Sequence, residues 1–300
     1  MGKRFRLSVP ASSANLGPGF DAVGLALELR VHADVEVLDA DATGTWAFAG
    51  RRPPSHDGLR DEIVRGISRV LGSGRVPPLR ITIANDVPLG KGLGGSAAGA
   101  VLGVAIGARL APEMPDDALL AQLVTEIEGH PDNALPALFG GIVVAAQRSD
   151  QAPRFLRFAA PEGLRAVVAV PSIEMPTAQA RAILPASYAR RDAVFNIQRA
   201  ALLGAALASG RFEMLRTAMA DRIHQPYRAS FVPGLEALLE LEDEQIFGVA
   251  LSGAGPSVIA LVGDDSGHVA SLMQSVFARH DVACETLDLP LARNGVVDER

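Results

Sequence analysis

Apolar and polar residues alternate at the start of the chain, where Phe5, Leu7 and Val9 are interleaved with Arg4, Arg6 and Ser8. A period of two predicts a strand, which Pro10 is expected to end. The same period returns at Val31, Ala33, Val35 and Val37, at Thr45 to Ala49, and at Leu79, Ile81 and Ile83. Helical spacing takes over from Asp61 to Leu71, with Ile63, Ile67, Val70 and Leu71 apolar, and again in the Ala-rich run from Ser96 to Leu110. A third helix is expected after Pro115, through Leu119, Leu120, Leu123, Val124 and Ile127, and a buried strand at Ile142 to Ala146. Ala11 to Leu27 is dense in turn residues and reads as a structured loop, as does Arg51 to Asp57.

The pattern loosens between Gln147 and Glu162, which predicts a domain boundary and two domains, 1–155 and 156–300. Beyond it come a strand at Leu164 to Val170, a short helix at Thr177 to Leu184 and helices at Arg190 to Ser209 and Arg211 to Ile223. Gln225-Pro226-Tyr227-Arg228 breaks the pattern before a helix at Pro233 to Glu242. Strands at Gly248 to Leu251 and Ser257 to Val262, a helix at Gly267 to His280 and a strand at Val282 to Leu287 close the chain. The second half therefore reads β–helices–β–β–α–β, an α+β arrangement with helices over a mainly antiparallel sheet.

Composition narrows the class of protein. With 300 residues and 48% hydrophobic content, the chain can fill one large core or two ordinary ones. A net charge of −6 argues against a nucleic-acid footprint, which would want a basic face. The single cysteine, Cys284, excludes an internal disulfide and makes a reducing compartment the default. The first residues lack an apolar core of a signal peptide, and the longest apolar stretch, Ala97 to Ala108, is too short to span a bilayer. A soluble cytoplasmic protein is expected, with neither nucleic acid nor membrane as partner.

Candidate chemistry concentrates in Pro88 to Ala98, PLGKGLGGSAA, which follows a strand and opens a helix. Gly90, Gly92, Gly94 and Gly95 let the backbone approach a ligand, and the helix start offers N–H groups and the positive end of the dipole. That combination suits an anion, most often phosphate. A plain turn capped by Ser96 is the simplest alternative. A dinucleotide fingerprint is another, since Gly90, Gly92 and Gly95 satisfy G-x-G-x-x-G, but Pro115-Asp116-Asp117 starts a helix where that reading needs a second strand. A nucleoside-triphosphate loop is the third, though Lys91 does not abut the serine as in the common P-loop. Further along, Glu126, Glu128, His130, Asp132 and Asn133 fall within eight residues. Carboxylates in the last turn of a helix oppose its dipole, and hard oxygen ligands fit magnesium better than zinc. Asn15 and Asp21 in the first loop could grip a small polar ligand.

Three segments together resemble the motifs of the GHMP kinases: Pro10 to Leu27, Pro88 to Ala98, and Leu251 to Ser257, LSGAGPS. Within that family, Ser13-Ala-Asn-Leu-Gly-Pro-Gly-Phe-Asp21, Glu128-Gly-His-Pro-Asp-Asn133, Pro136-Ala-Leu-Phe-Gly-Gly141 and the Thr177/Arg181 spacing resemble the branch acting on L-homoserine. Two places depart from the usual pattern: Gly95 where Ser is frequent, and Asp61-Glu62 where an adenine-contacting Asn is frequent. The resemblance implies an α+β two-domain GHMP kinase fold, with a left-handed β-α-β crossover in an N-terminal α/β domain and a ferredoxin-like C-terminal domain. ATP is expected in the cleft between them, with Mg2+, for transfer of the γ-phosphoryl group to the hydroxyl of L-homoserine.

By resemblance, the loop Pro88, Leu89, Gly90, Lys91, Gly92, Leu93, Gly94, Gly95, Ser96, Ala97 and Ala98 wraps the triphosphate, and Ser96 with Glu126 holds the metal. Asn15, Asp21, His130, Asp132, Thr177, Arg181, Arg228 and Gly253 are carried over as the homoserine pocket. Asp21 suits the ammonium of the zwitterion, and Arg181 and Arg228 its carboxylate. Asn133 and Arg181 are expected nearest the reacting phosphate. No general base is assigned, because phosphoryl transfer relies mostly on positioning and charge stabilisation. The expected partners are the two small-molecule substrates, with a homodimer as a compatible assembly.

Overall fold

The computed structural model describes residues 3–52, 58–72, 76–147, 151–264 and 266–299, so the expected loops at 51–57 and 147–162 lie partly outside them. Strand β1 (Arg4–Asn15) and strand β2 (Gly19–Val37) form a long antiparallel hairpin. Pro10 does not end β1: the register shifts between Pro10 and Ala11, and at such a bulge a missing N–H is tolerated. The expected loop from Ala11 to Leu27 is therefore mostly paired strand. Its tight part is a turn in which Asn15, Leu16 and Gly17 have φ of 69°, 48° and 83°.

Strand β2 has two further partners. Its second half, from Val31, pairs with Leu79–Asn85, and Val23 to Leu25 pair with Ile142–Ala146. In chain order these elements are β3 (Thr45–Ala49), α1 (Gly58–Leu71), β4 (Leu79–Asn85), α2 (Gly95–Leu110), α3 (Asp117–Glu128), α4 (Pro131–Phe139), β5 (Ile142–Ala146) and β6 (Arg154–Phe158). Strands β3 and β4 are parallel and joined through α1, the unit in which the resemblance implies a left-handed crossover. Strand β6 extends the sheet beyond β5, and the expected 155/156 boundary falls inside it.

Helices α2 and α4 pack on β1 and β2, and α1 and α3 pack on α2. Helix α2 is buried on all sides from Ala97 to Ala108, as an Ala-, Gly- and Val-rich sequence without a polar face demands. Helices α1 and α2 approach through glycine: a Cβ on Gly103 would lie 2.2 Å from the Ile63 carbonyl oxygen, and one on Gly66 would lie 2.6 Å from that of Ala100. Asp116 caps α3, accepting from the Leu119 N–H at 2.8 Å, and Gly129 ends it with φ 84°. The expected stop at Gly129-His130-Pro131 is also a start. Pro131 occupies the first position of α4, where a missing N–H costs nothing.

The second sheet contains β7 (Arg165–Pro171), β8 (Ile246–Leu251), β9 (Val258–Val262) and β10 (Cys284–Pro290), all antiparallel, in the order β10-β7-β9-β8. That order, with helices between β7 and β8 and between β9 and β10, is the ferredoxin-like arrangement. The helices are α5 (Thr177–Ala182), α6 (Arg190–Ser209), α7 (Leu215–Ala218), α8 (Gln225–Arg228), α9 (Leu235–Leu239) and α10 (Gly267–Ala278). The helix expected over Arg211 to Ile223 is shorter, a 3-10 turn at Phe212–Met214 followed by α7. The expected break at Gln225 is the helical turn α8. Strand β11 (Val297–Asp298) returns the chain to the first sheet beside β1. No described helix is long and apolar enough to cross a membrane.

Candidate active site

Three glycine-bearing turns meet where the two sheets adjoin. They are the β1–β2 turn, the loop from β4 into α2, and the β8–β9 turn. The Ser252 hydroxyl donates to the Gly92 carbonyl at 2.6 Å, and the Ser257 N–H donates to that of Lys91 at 3.3 Å. Ser12 N–H reaches the Leu93 carbonyl at 3.2 Å, and Gly253 N–H that of Ala14 at 3.0 Å. The hydroxyls of Ser13 and Ser252 share a buried bond of 2.8 Å. Together the turns floor a cleft of about 350 Å³.

One end of the cleft is formed by the glycine loop and the start of α2. Gly90, Gly92 and Gly94 have φ of 69°, 77° and 65°, and Gly95, Ser96 and Ala97 line the cleft at the start of α2. The first N–H groups of a helix have no acceptor within it, and here they adjoin the positive end of a 16-residue dipole. Close packing as well as conformation requires these glycines. A Cβ on Gly94 would sit 2.0 Å from the Ser12 hydroxyl, and one on Gly92 would sit 2.3 Å from the Ser252 carbonyl oxygen. Pro88, Leu93 and Ala98 are buried and Leu89 packs on the core, so they shape the loop without lining the cleft. Lys91 also turns away, its Nζ donating to the Ile173 carbonyl at 2.5 Å.

Ser96 faces Glu128, not Glu126. Its hydroxyl donates to Glu128 Oε1 at 2.8 Å. Glu126 accepts from Gln122 Nε2 at 2.8 Å, pairs with Arg69 of α1, and does not line the cleft. Residues two apart on a helix point about 200° apart, so only one of the two acids can face the loop. The structure thus brings Ser96 against Glu128 and not against Glu126, the acid expected to share a metal with it. Burial raises the pKa of Glu128 above the ordinary carboxylate value, against the opposing Ser96 hydrogen bond. Glu62 and Arg65 of α1 border the same end and pair with each other at 3.1 Å.

The other end carries alternating charges. Arg181 grips Asp21 with two bonds, 2.6 and 3.0 Å, which raise the arginine pKa further. Asp21 has φ 56°, and its N–H donates to Asn15 Oδ1 at 3.0 Å, while Asn15 Nδ2 donates to the Gly253 carbonyl at 2.8 Å. Asp132 is 1% exposed and accepts from His130 Nδ1 at 2.6 Å and from the Asn133 N–H at 3.0 Å. Burial disfavours a charged His130, but the Asp132 hydrogen bond and charge outweigh it and raise the imidazole pKa. Asn133 lines the cleft, its Oδ1 accepting from the Ser12 hydroxyl at 2.9 Å. Thr177, at the start of α5, lines this end too.

Arg228 is 1% exposed and lines the cleft from α8. Its Nε donates to the Ala180 carbonyl at 3.1 Å and one terminal nitrogen to that of Gly253 at 3.2 Å. Burial, followed by the nearby charge of Arg181, pushes its pKa down to about 10. Phe20 lies against both guanidinium groups, 5.4 Å from Arg181 and 5.6 Å from Arg228. Sequence reasoning assigned no role to Phe20, Arg65, Ile127 or Met175, which also line the cleft, as do Glu62, marked there only as a departure from the family pattern, and Ala254 and Gly255 of the third motif. Phe20 had a usable signal, its place between Gly19 and Asp21 in the first motif.

A glycine loop at a helix start facing a clustered acid–guanidinium pocket, across the junction of these two sheets, suits phosphoryl transfer to a small molecule. Residues 61–141 match the family model for the N-terminal domain of GHMP kinases, and residues 203–279 match that for the C-terminal domain. The chain belongs to the GHMP kinase family. Among its relatives, a homoserine kinase of Solibacter usitatus is 41% identical over 295 residues, covering 97% of this chain and 96% of the relative. A homoserine kinase of Deinococcus radiodurans is 40% identical, covering 98% and 97%. The crystal structure of homoserine kinase from Cytophaga hutchinsonii superposes with a TM-score of 0.86 at 26% identity, covering 100% of this chain and 98% of that one.

Proposed function

We infer that this chain is a homoserine kinase, which transfers the γ-phosphoryl group of ATP to the hydroxyl of L-homoserine. The product is O-phospho-L-homoserine, on the route to threonine, and the enzyme acts in the cytoplasm. The observation that carries the substrate assignment is the charge pattern at the acid–guanidinium end. Asp21, Arg181, Asp132, His130 and Arg228 present both signs within one pocket. A zwitterion meets such a pocket without burying net charge. Its ammonium suits Asp21 and Asp132, and its carboxylate suits Arg181 and Arg228, whose planar donors match two oxygens. An isoprenoid alcohol offers no charge of either sign to match these groups.

The acceptor hydroxyl then points along the cleft toward the glycine loop. Backbone N–H groups of Gly94 to Ala97 cradle the phosphates, and the α2 dipole favours their charge. Ser96 and Glu128 fit a divalent cation: two hard oxygens, 2.8 Å apart, beside the phosphate end. Magnesium, when bound there, screens the charge of the triphosphate. Asn133 and Arg181 both line the cleft, and the family resemblance assigns them to the transferring group and the acceptor. Positioning and charge stabilisation suffice for a loose phosphoryl-transfer transition state, so the reading requires no general base. Coupled measurement of ADP release across homoserine, mevalonate and galactose tests the assignment. Homoserine is expected to stimulate release and the others not; turnover of mevalonate in preference to homoserine would overturn it.

A further inference from the structure

Arg228 has a buried hydrogen-bond partner outside the three motifs. His224 lies one helical turn before it, at the start of α8, and is fully buried. A terminal nitrogen of Arg228, NH1, lies 3.0 Å from His224 Nδ1. Guanidinium nitrogens only donate, so Nδ1 must accept. The imidazole proton therefore sits on Nε2, which donates to the Gly17 carbonyl at 2.7 Å. That carbonyl belongs to the β1–β2 turn, packed so tightly against the second half of the chain that a Cβ on Gly17 would lie 2.0 Å from the Met219 carbonyl oxygen. The ring also lies 5.3 Å from Phe20.

The surroundings keep this tautomer. Asp221 is the acid nearest to His224, 3.7 Å from Nε2. Its oxygens are already taken by the N–H groups of Ile223, His224 and Gln225, at 3.0, 2.9 and 2.7 Å, and by Asn196 Nδ2 at 2.6 Å. Burial lowers the imidazole pKa, and the Arg228 charge adds to it against the pull of Asp221. With Nε on Ala180 and NH1 shared by His224 and Gly253, no acceptor among the described residues is assigned to NH2 of Arg228.

We propose that His224 is a positioning residue for the substrate carboxylate: its Nδ1 lone pair anchors the NH1 side of Arg228 and leaves the NH2 edge facing the cleft. The proposal rests on Arg228 binding that carboxylate. Through Gly17, the same imidazole ties the guanidinium to the turn that carries Asn15, Phe20 and Asp21. Both halves of the zwitterion pocket are thereby set in one frame.

The two ring nitrogens can be tested separately. Asn at 224 can offer an acceptor near the Nδ1 position, whereas Gln reaches the Nε2 position and leaves Arg228 without its acceptor. His224→Gln is expected to raise KM for homoserine about tenfold or more, as loss of a hydrogen bond to a charged group does, with KM for ATP unchanged. His224→Asn is expected to stay within about threefold of wild type for homoserine. Arg228→Ala provides the reference: if it leaves KM for homoserine unchanged, the carboxylate reading itself fails and the proposal falls with it. If Arg228→Ala raises KM but His224→Gln does not, or if Asn and Gln act alike, His224 does not aim Arg228. Nitrogen NMR of the wild-type enzyme needs no variant to fold. A neutral Nε2–H tautomer at pH 7 supports the proposal, and an Nδ1–H tautomer or an imidazolium overturns it.

Discussion

Replacing Arg181 by alanine separates substrate binding from folding. The side chains of Arg181 and Asp21 are 39% and 33% exposed. Water screens such a pair, so its loss costs at most about 1 kcal/mol of stability. Only Ala180 is buried on the short helix that carries Arg181, so the substitution opens no core cavity. The variant is expected to fold with an unfolding midpoint close to wild type. Against a bound carboxylate the same side chain faces a partly desolvated anion, and truncating one member of such a pair costs about 2–5 kcal/mol. The half-exposed position favours the lower part of that range, about 2–3 kcal/mol, or about 30- to 150-fold in kcat/KM for homoserine. Steady-state ADP release with homoserine and ATP varied independently reads the effect, and KM for ATP is expected to stay within about twofold. Homoserine amide supplies the second arm: wild type should discriminate strongly against it, and Arg181→Ala should discriminate less. Equal use of acid and amide by wild type, or a loss that falls on ATP, would refute the carboxylate clamp.

The proposed Ser96–Glu128 metal pair predicts a contrast between two acids on one helix. Glu128→Gln is expected to weaken the apparent affinity for magnesium in turnover by about tenfold or more, while Glu126→Gln stays near wild type; equal losses would reject the assignment of Glu128. The raised pKa of His130 fixes the sign of a pH effect. A charged imidazole paired with Asp132 stabilises the fold below the ordinary value of 6.5, and that contribution disappears as pH rises through the higher folded value. His130→Asn can keep a donor toward Asp132 without the charge. Its melting temperature is expected to fall furthest below wild type at about pH 6 and to converge with it by about pH 9; a gap constant across that range would contradict the charged pair.

Much of this site was legible because glycine is costly to place and easy to read. The loop from Pro88 to Ala98 and the turn from Ser252 to Pro256 stood out by composition, and the bonds from Ser252 to Gly92 and from Ser257 to Lys91 show why they occur together. Proline was harder. Pro10 reads as a strand end, yet a bulge carries the strand past it; Pro131 reads as a helix stop, yet it is the first residue of α4. Local chemistry in each case permits two outcomes, and long-range pairing decides between them. Which acid meets the loop depends on which face of α3 turns toward it, and that is set by the packing of the whole helix: Glu128 reaches Ser96 while Glu126 pairs with Arg69 at the surface. His224 carried only a weak signal, its four-residue spacing from Arg228 on a segment read as irregular.

The most direct measurement is phosphorus NMR of the product. Purified enzyme is incubated with ATP, magnesium and equimolar homoserine, mevalonate and galactose in one tube. A single new phosphomonoester, matching O-phospho-L-homoserine and appearing in step with ADP, is the predicted result. A phosphorylated alcohol other than homoserine, or ATP consumed with no phosphomonoester formed, would contradict the account.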